Sequence, residues 1–473
     1  MTGIISYGAY VPPTRLSLAA LGGRPPKEGG PEKAVAWFDE DSVTLGVAAA
    51  IECLRGFDRA SVDAVLFAST TSPFREKQAA ALVARALDLR RDVRASDVSG
   101  SLRAGTRALE SAADAVAAGS ARRVLVVASD CRLAAPGSPL EAGLGDGAAA
   151  FLVGESDAIA TFAGWHSLAE EIVDVWRGPS DRFVHSWEQR FVVQESVVPG
   201  LVEAVRGLLE KAGLAAEDLS RAVLDAPDAR THASVARALG LGKGELQDPL
   251  FGRLGNAGAA FAPLLLAAAL ETARPGERLL VASHGDGAEA FALAVTGHVE
   301  KLEPRRGVSW HLERRSSVPS YAHYRKARGL DPTEWERGTD SGLSATVHFR
   351  ERDADVSFKG QRCQACGAVQ FPKQRVCESC FAKDRFDDVR LSDRTGRVVT
   401  YTLDHFFPTP EPPTVVTITE IDGARVHLQL VNVRPEDVRP GIPVEPTFRR
   451  IHETGGRPNY YWKAVPVENG ESR

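Results

Sequence analysis

The sequence predicts an α/β protein of two related halves, followed by a metal-binding ribbon and a small β-rich domain. Three observations carry this expectation. Over roughly the first 304 residues, apolar strand-like runs alternate with Ala- and Leu-rich helical stretches. Pieces of that region recur in the same order 152 to 154 residues later. Beyond residue 358 the pattern changes to short strands, opened by a cluster of four cysteines.

In the first region strands are expected at 64–68, 124–128, 149–153, 222–224, 279–282 and 291–295. Helices are expected at 42–54, 78–87, 105–118, 195–212, 232–239 and 260–272. The stretch 257–270 is apolar but too short to span a bilayer, so it reads as a buried helix. Residues 305–355 are rich in charge, Ser and Pro and read as a linker with one helix near 319–329. The ribbon is placed at 356–385. A β-barrel of the OB type is placed at 386–473, with strands at 396–402, 414–420, 425–430 and 460–465.

The repeat sharpens the first region. VARALDL at 83–89 matches VARALGL at 235–241, and LVVASD at 125–130 matches LLVASH at 279–284. GDGAAAF at 145–151 matches GDGAEAF at 285–291, and the first copy carries a 14-residue insert, 131–144, that the second lacks. VDAVLFAST at 62–70 is echoed by LSRAVLDAP at 219–227. Two α/β halves are therefore expected, about 1–160 and 161–304, with an active site where they meet.

Length and charge exclude some functions. A chain of 473 residues allows two to four structural units, and 44% hydrophobic residues can bury a substantial core. The net charge of −5, with no long basic run, predicts neither a nucleic-acid nor an anionic-membrane partner. Arg305-Arg306 and Arg314-Arg315 read as solvated linker charges, with a phosphate-bearing small molecule as the alternative ligand. The N-terminal residues lack the pattern of a signal peptide, and no apolar run is long enough for a membrane span. Four of six cysteines in one cluster suit a reducing cytoplasm.

That cluster is RCQACGAVQFPKQRVCESC, two C-x-x-C pairs ten residues apart. Each pair forms a tight turn, and Cys363, Cys366, Cys377 and Cys380 complete the closed tetrahedron of a structural zinc. An iron–sulfur cluster or a metal-free cluster are the alternatives. Four sulfurs leave no open position for catalysis.

GLGDGAAAFLVG (143–154), GRLGNAGAAFAP (252–263), SHGDGAEAFAL (283–293) and DVWRGPSDRFVH (174–185) resemble the thiolase superfamily, above all hydroxymethylglutaryl-CoA synthase and ketoacyl synthase III enzymes. The C-terminal part resembles the zinc-ribbon/OB proteins that accompany thiolases and thiolase-like aldolases. The resemblance implies an αβαβα core, a homodimer, acyl-CoA thioesters as substrates, and a fused domain that helps hold coenzyme A. A separate thiolase partner is also possible on this resemblance.

The same resemblance exposes departures. The family's nucleophilic Cys falls on Leu102 within DVSGSLRAGTRAL (97–109), with Ser101 next to it. Its general-acid Glu falls near Thr70 and Thr71, and its His near Asp225 and Asp228. Cys53 reads as a core residue and Cys131 as a strand end. Asn256, in the GNAG turn, is expected to hold a thioester oxygen or to cap the turn. His284, in SHGDG, is expected to act as a base near neutral pH or to be a hydrogen-bonded loop residue. His232 reads as a surface or cap residue. Thr70, Gly255 and Gly285 are placed on the substrate side, with the Gly-turn amides holding the oxygen. Related aldolases use tyrosines, of which the first 304 residues hold only Tyr7 and Tyr10.

Three functions follow from these residues. The first is making or breaking a C–C bond beside a thioester without an acyl-enzyme, of retro-aldol or retro-Claisen type. The catalytic residues are then drawn from His284, Asn256, Ser101 and Asp225. The second is an ordinary synthase or acyltransferase using Ser101. The third is an acyl-CoA-binding scaffold.

Overall fold

A strand buried on both faces needs apolar side chains at every position, and the segment DGAAAFLVG supplies them: all nine residues are buried. It is the fifth strand of a nine-stranded sheet in the computed structural model, which describes residues 1–331, 344–407, 409–454 and 456–467. The strands are β1 (Gly3–Tyr10), β2 (Ala64–Ala68), β3 (Arg94–Val98), β4 (Arg123–Cys131), β5 (Asp146–Gly154), β6 (Ala160–Ala169), β7 (Arg221–Leu224), β8 (Arg278–His284) and β9 (Gly287–Val295). Their order is β7-β8-β9-β6-β1-β5-β4-β2-β3.

The order displays the repeat. Outward from the centre, β1, β5, β4 and β2 answer β6, β9, β8 and β7. β4 and β5 form an antiparallel pair, as do β8 and β9. The outer strands β2 and β7 run parallel to β4 and β8. The halves join where Gly3 and Ile4 of β1 meet Thr161 and Ala160 of β6. Only the first half adds an edge strand, β3, whose residues are largely exposed.

Six helices cover this sheet: α1 (Ser42–Cys53), α2 (Ala79–Ala86), α3 (Ala104–Ala117), α4 (Val198–Ala212), α5 (Ala229–Ala238) and α6 (Phe261–Leu270). Asp41 caps α1 by accepting from the amides of Val43 and Thr44. α1 packs on β1, β4 and β5, and α4 on β6 and β9. α6 is apolar all round, as a core helix must be. It touches β5 in one half, β7 and β8 in the other, and α3. The layers are thus αβαβα, with α3 and α6 in the middle.

Gly105 sets how closely those central helices approach. A Cβ there would strike the carbonyl of Ala259 and lie 2.7 Å from Pro263 Cγ. Gly105→Ala is expected to cost about 1–3 kcal/mol through overpacking, measured as a lower urea midpoint at unchanged m-value.

The stretch 305–355 holds more regular structure than one helix. It contains α7 (Val308–Glu313), α8 (Tyr321–Ala327) and α9 (Ala345–Asp355), and a short strand Ser316–Ser317 parallel to Thr14–Ser17. Arg305 and Arg306 are not solvated linker charges, whereas Arg315 is exposed as expected. Arg306 is buried and stacks on Trp310, and Arg305 Nη1 donates to the Tyr7 carbonyl at 3.1 Å. Contacts of this kind join residues distant in sequence, so the local composition does not display them.

The chain divides into two units, Met1–Trp37 with Asp41–Tyr324, and Phe38–Glu40 with Arg325–Arg473. In the second, β10 (Lys359–Cys363), β11 (Val369–Gln370) and β12 (Phe386–Arg390) form the ribbon sheet, with β10 central. β13 (Gly396–Asp404), β14 (Thr414–Ile421), β15 (Ala424–Leu430), β16 (Pro443–Thr454) and β17 (Arg457–Pro466) close a barrel. Trp462 is fully buried, stacks on Phe358 and donates Nε1–H to the Val356 carbonyl at 2.8 Å. Four charges buried in this unit are paired: Lys463 lies 2.9 Å from Asp39, and Arg449 lies 2.9 Å from Glu40. Among the described residues no helix is long and apolar enough to cross a membrane.

Candidate active site and metal centre

Strand ends and helix starts are where backbone groups and side chains converge without sheet partners, and six such ends meet in the first unit. The hub is Asp130 at the end of β4, fully buried. Its carboxylate accepts from Ser69 Oγ (3.0 Å), the amide and hydroxyl of Thr70 (both 2.8 Å), Thr71 Oγ1 (2.7 Å) and the amide of Ala259 (2.8 Å). These bonds fix the loop after β2 and the turn before α6 around one anion.

That turn carries Asn256, whose Oδ1 accepts from the Gly258 amide at 2.9 Å while Nδ2 reaches the Ala226 carbonyl at 3.4 Å. Oδ1 is therefore committed to the turn, and Nδ2 holds one long bond with a second hydrogen to give. Gly255 adopts φ 86 beside Gly145, and a Cβ there would lie 2.9 Å from the Gly145 amide nitrogen. It is a close-approach glycine.

Asp225 follows β7 and is buried. One carboxylate oxygen accepts from Ser283 Oγ at 3.1 Å, and among the described residues the other has no donor. Burial pushes its pKa up to about 7, only partly opposed by Ser283 and Arg132.

His284, at the end of β8, is also buried. Its Nε2 lies 3.0 Å from Ser196 Oγ, and that hydroxyl donates to Glu170 at 2.8 Å. Ser196 has one hydrogen, so Nε2 must donate to it, which leaves the lone pair on Nδ1. Nδ1 faces Asp174 at 3.9 Å. Burial, with Arg103 nearby, lowers the imidazole pKa to about 4. This shift keeps the imidazole neutral at pH 7 and weakens it as a base, and its bond to Ser196 fits the hydrogen-bonded loop residue that was the alternative reading of the sequence.

Other expected residues are committed to structure. Ser101 Oγ donates to the Gly285 carbonyl at 2.9 Å, and no base lies within its reach among the described residues. The Gly285 amide donates to Gly287 at 2.8 Å, so it offers no hydrogen to a thioester oxygen, a correction to its expected role. Thr70 is likewise spent on Asp130, and its carbonyl accepts from Arg177. Cys53 is buried, with its thiol pushed up to about 12 by desolvation. His232 is buried in α5 rather than at its start, because Asp228 caps the helix.

The sequence did not single out the cations. Arg103 opens α3, donates Nε–H to Gly285 (2.6 Å) and Nη2–H to Asp286 (2.9 Å), and lies 3.8 Å from buried Glu289. Arg132, the second residue of the insert, is 7% exposed at the floor of this cluster. A Cβ on Gly258 would lie 2.6 Å from its Cδ. Neither residue belongs to a periodic pattern, and the insert has no counterpart in the second half.

In the second unit, two equivalent turns present the cysteines. The amide of Cys363 donates to Ala368 and that of Gly367 to Cys363, and Cys377, Ala382 and Phe381 repeat the arrangement. The sulfurs of Cys363 and Cys380 lie 3.7 Å apart and those of Cys366 and Cys377 3.6 Å apart, with all four within 4.8 Å of one another. A tetrahedron with Zn–S bonds of about 2.3 Å has edges of roughly 3.8 Å, so the set fits one structural zinc.

Comparison with known proteins matches this architecture piece by piece. Residues 209–296 match the C-terminal domain of 3-oxoacyl-[acyl-carrier-protein] synthase III. Residues 353–384 match the ChsH2 rubredoxin-like zinc ribbon and 388–449 the ChsH2 C-terminal OB-fold domain. The hydroxymethylglutaryl-CoA synthase of Pyrococcus horikoshii is 33% identical over 338 residues, covering 69% of this chain and 95% of that protein. That of Aeropyrum pernix is 35% identical over 342 residues, covering 69% and 94%. Among solved structures, hydroxymethylglutaryl-CoA synthase complexed with CoA superposes with a TM-score of 0.64 at 20% identity, covering 72% of this chain and 94% of that one. The Aquifex aeolicus 3-oxoacyl-[acyl-carrier-protein] synthase III gives 0.56 at 24% identity, covering 62% and 100%.

Proposed function

The chain belongs to the hydroxymethylglutaryl-CoA synthase family, and from that premise we propose that it makes or breaks a C–C bond beside a CoA thioester without forming an acyl-enzyme. The observation that carries this reading is the pairing of Leu102 at the nucleophile position with a buried Asp225 whose pKa is about 7. Leucine accepts no acyl group, whereas a carboxyl titrating near neutrality is matched to proton transfer.

An aldol-type step needs only a base and an oxyanion site. In the cleaving direction Asp225 takes the proton of a 3-hydroxyl and the C2–C3 bond breaks. The electron pair passes to C2 and the thioester oxygen, and C3 becomes a carbonyl. Asp225 then returns the proton to C2, giving a shortened thioester and a ketone or aldehyde. Asn256 Nδ2 supplies a hydrogen to the thioester oxygen, and neutral His284 presents Nδ1 as a further acceptor. The exposed edge of β3 supports a homodimer formed by strand pairing.

The test is hydrogen exchange at C2 of acetyl-CoA in deuterated buffer, together with intact-protein mass after incubation. The expected result is enzyme-dependent deuterium incorporation with no mass added to the protein. An acetyl group on Ser101 would instead assign the chain to the acyltransferases. CoA binding with neither exchange nor acylation would make it a scaffold.

A further inference from the structure

Two hydrogen bonds lead from the buried site to the surface. His284 Nε2 lies 3.0 Å from Ser196 Oγ, and Ser196 Oγ donates to Glu170 Oε2 at 2.8 Å. His284 and Ser196 are buried, whereas Glu170 is exposed. The three residues come from separate elements. Glu170 follows β6, and its amide donates to the Asp286 carbonyl at 3.3 Å, beside the end of β8 that carries His284. Ser196 lies in a π-helical turn, Val193–Val197, directly ahead of α4. Gln194 and Glu195 of that turn are exposed, so Ser196 is the one polar side chain that the turn buries. Turns of this kind are rare and frequently mark functional positions.

The chemistry of such a chain follows from its hydrogens. Nε2 donates to Ser196, and Nδ1 keeps a lone pair, with Asp174 at 3.9 Å. A proton taken up at Nδ1 is matched by release of the Nε2 proton to Ser196 Oγ. The Ser196 hydroxyl proton then passes to the Glu170 carboxylate, and from there to water. Each bond broken is replaced by one formed, and the ring changes tautomer without becoming an imidazolium. Burial and the charge of Arg103 both disfavour the imidazolium, so this histidine is suited to pass a proton on rather than to hold it. The reverse sequence brings a solvent proton in.

We propose that His284, Ser196 and Glu170 form a proton path between the buried site and solvent, with Ser196 and Glu170 as its relay residues. This rests on the reading that Nδ1 of His284 faces the acyl group. The path supplies what Asp225 alone lacks. A buried carboxyl returns the proton that it took, whereas hydrogen exchange at C2 of a bound thioester needs a route to solvent. The first half has no equivalent, because Asp130 stands at the repeat position of His284 and its oxygens are filled by Ser69, Thr70, Thr71 and Ala259.

Glu170→Gln tests it on the full-length, zinc-loaded protein, because a surface amide still accepts from Ser196 but cannot take its proton. The ring N–H of His284 is followed by NMR with isotope-labelled histidine and assigned from its absence in His284→Gln. Its exchange with water is expected to be slower in Glu170→Gln by on the order of 10-fold or more, the loss of a positioned proton acceptor. Deuterium incorporation at C2 of acetyl-CoA should fall about 10²-fold at unchanged acetyl-CoA affinity, and added imidazole buffer should restore it by carrying the proton instead. A role in packing alone would not respond to buffer. Ser196→Ala should show the same losses. Equal N–H exchange in wild type and Glu170→Gln, or a C2 rate that Glu170→Gln leaves unchanged, would overturn the proposal. A wild type without C2 exchange, whose N–H exchange still slows in Glu170→Gln, would remove the proposed reaction and leave the proton path standing.

Discussion

Asp225→Asn lowers turnover by roughly 10²–10⁴-fold and at the same time stabilises the protein. The first effect is the usual contribution of a positioned general base. The second follows from protonation. In the folded chain Asp225 keeps its proton up to about pH 7, whereas an unfolded aspartate loses it near about 3.9. Between those values the folded state binds more protons, so stability falls as pH rises, and the deficit is constant above about pH 7. Asparagine removes the penalty, with an upper limit of about 4 kcal/mol at pH 8 and almost nothing at pH 4. Thermal melts of both proteins at the two pH values check it. In the wild type, kcat/KM for C–C cleavage rises with pH through about 7, because the carboxylate is the active form. A flat profile, or a variant less stable at pH 8, would sink the assignment of Asp225 as the base.

Cys377→Ser, or chelation of the metal, removes the ribbon from the second unit. Structural zinc sites of four thiolates contribute about 10–16 kcal/mol in isolated zinc-finger peptides, and β10 to β12 have little core to replace it. The loss reaches the barrel through aromatic packing. Phe358 precedes the ribbon and stacks on Trp462 with ring centroids 5.8 Å apart. Zinc release measured with a chromogenic chelator should therefore run in step with a change in tryptophan fluorescence. A metal-free protein with unchanged fluorescence and melting would contradict this coupling of ribbon and barrel.

How much of this was legible in the sequence depended on what each segment shows of its surroundings. β5 was legible because both faces are apolar and the run is uninterrupted. β3, RASDV, was missed because an exposed edge strand carries polar residues on both faces. β16 was missed because Pro443 and Pro446 read as breakers, although proline is tolerated at a strand start or edge. The four zinc ligands were legible because spacing alone specifies them. Asp225, Asn256 and His284 were singled out through the family resemblance and the repeat. Their protonation was not, because burial sets it. The two sides of the repeat also diverge chemically: Asp130 and His284 occupy the same repeat position, one saturated by donors, the other held by a single serine.

The insert between β4 and β5 has one more consequence. It is tied down along its length, because buried Glu141 accepts from Lys33 and Tyr321 and the Leu133 carbonyl accepts from the Val184 amide. Exchanging this one loop therefore means exchanging Lys33, Val184 and Tyr321 with it. The short Gly285-Asp286 connection of the duplicate half is held instead by Ser101 and Arg103 alone among the described side chains that donate to its carbonyls.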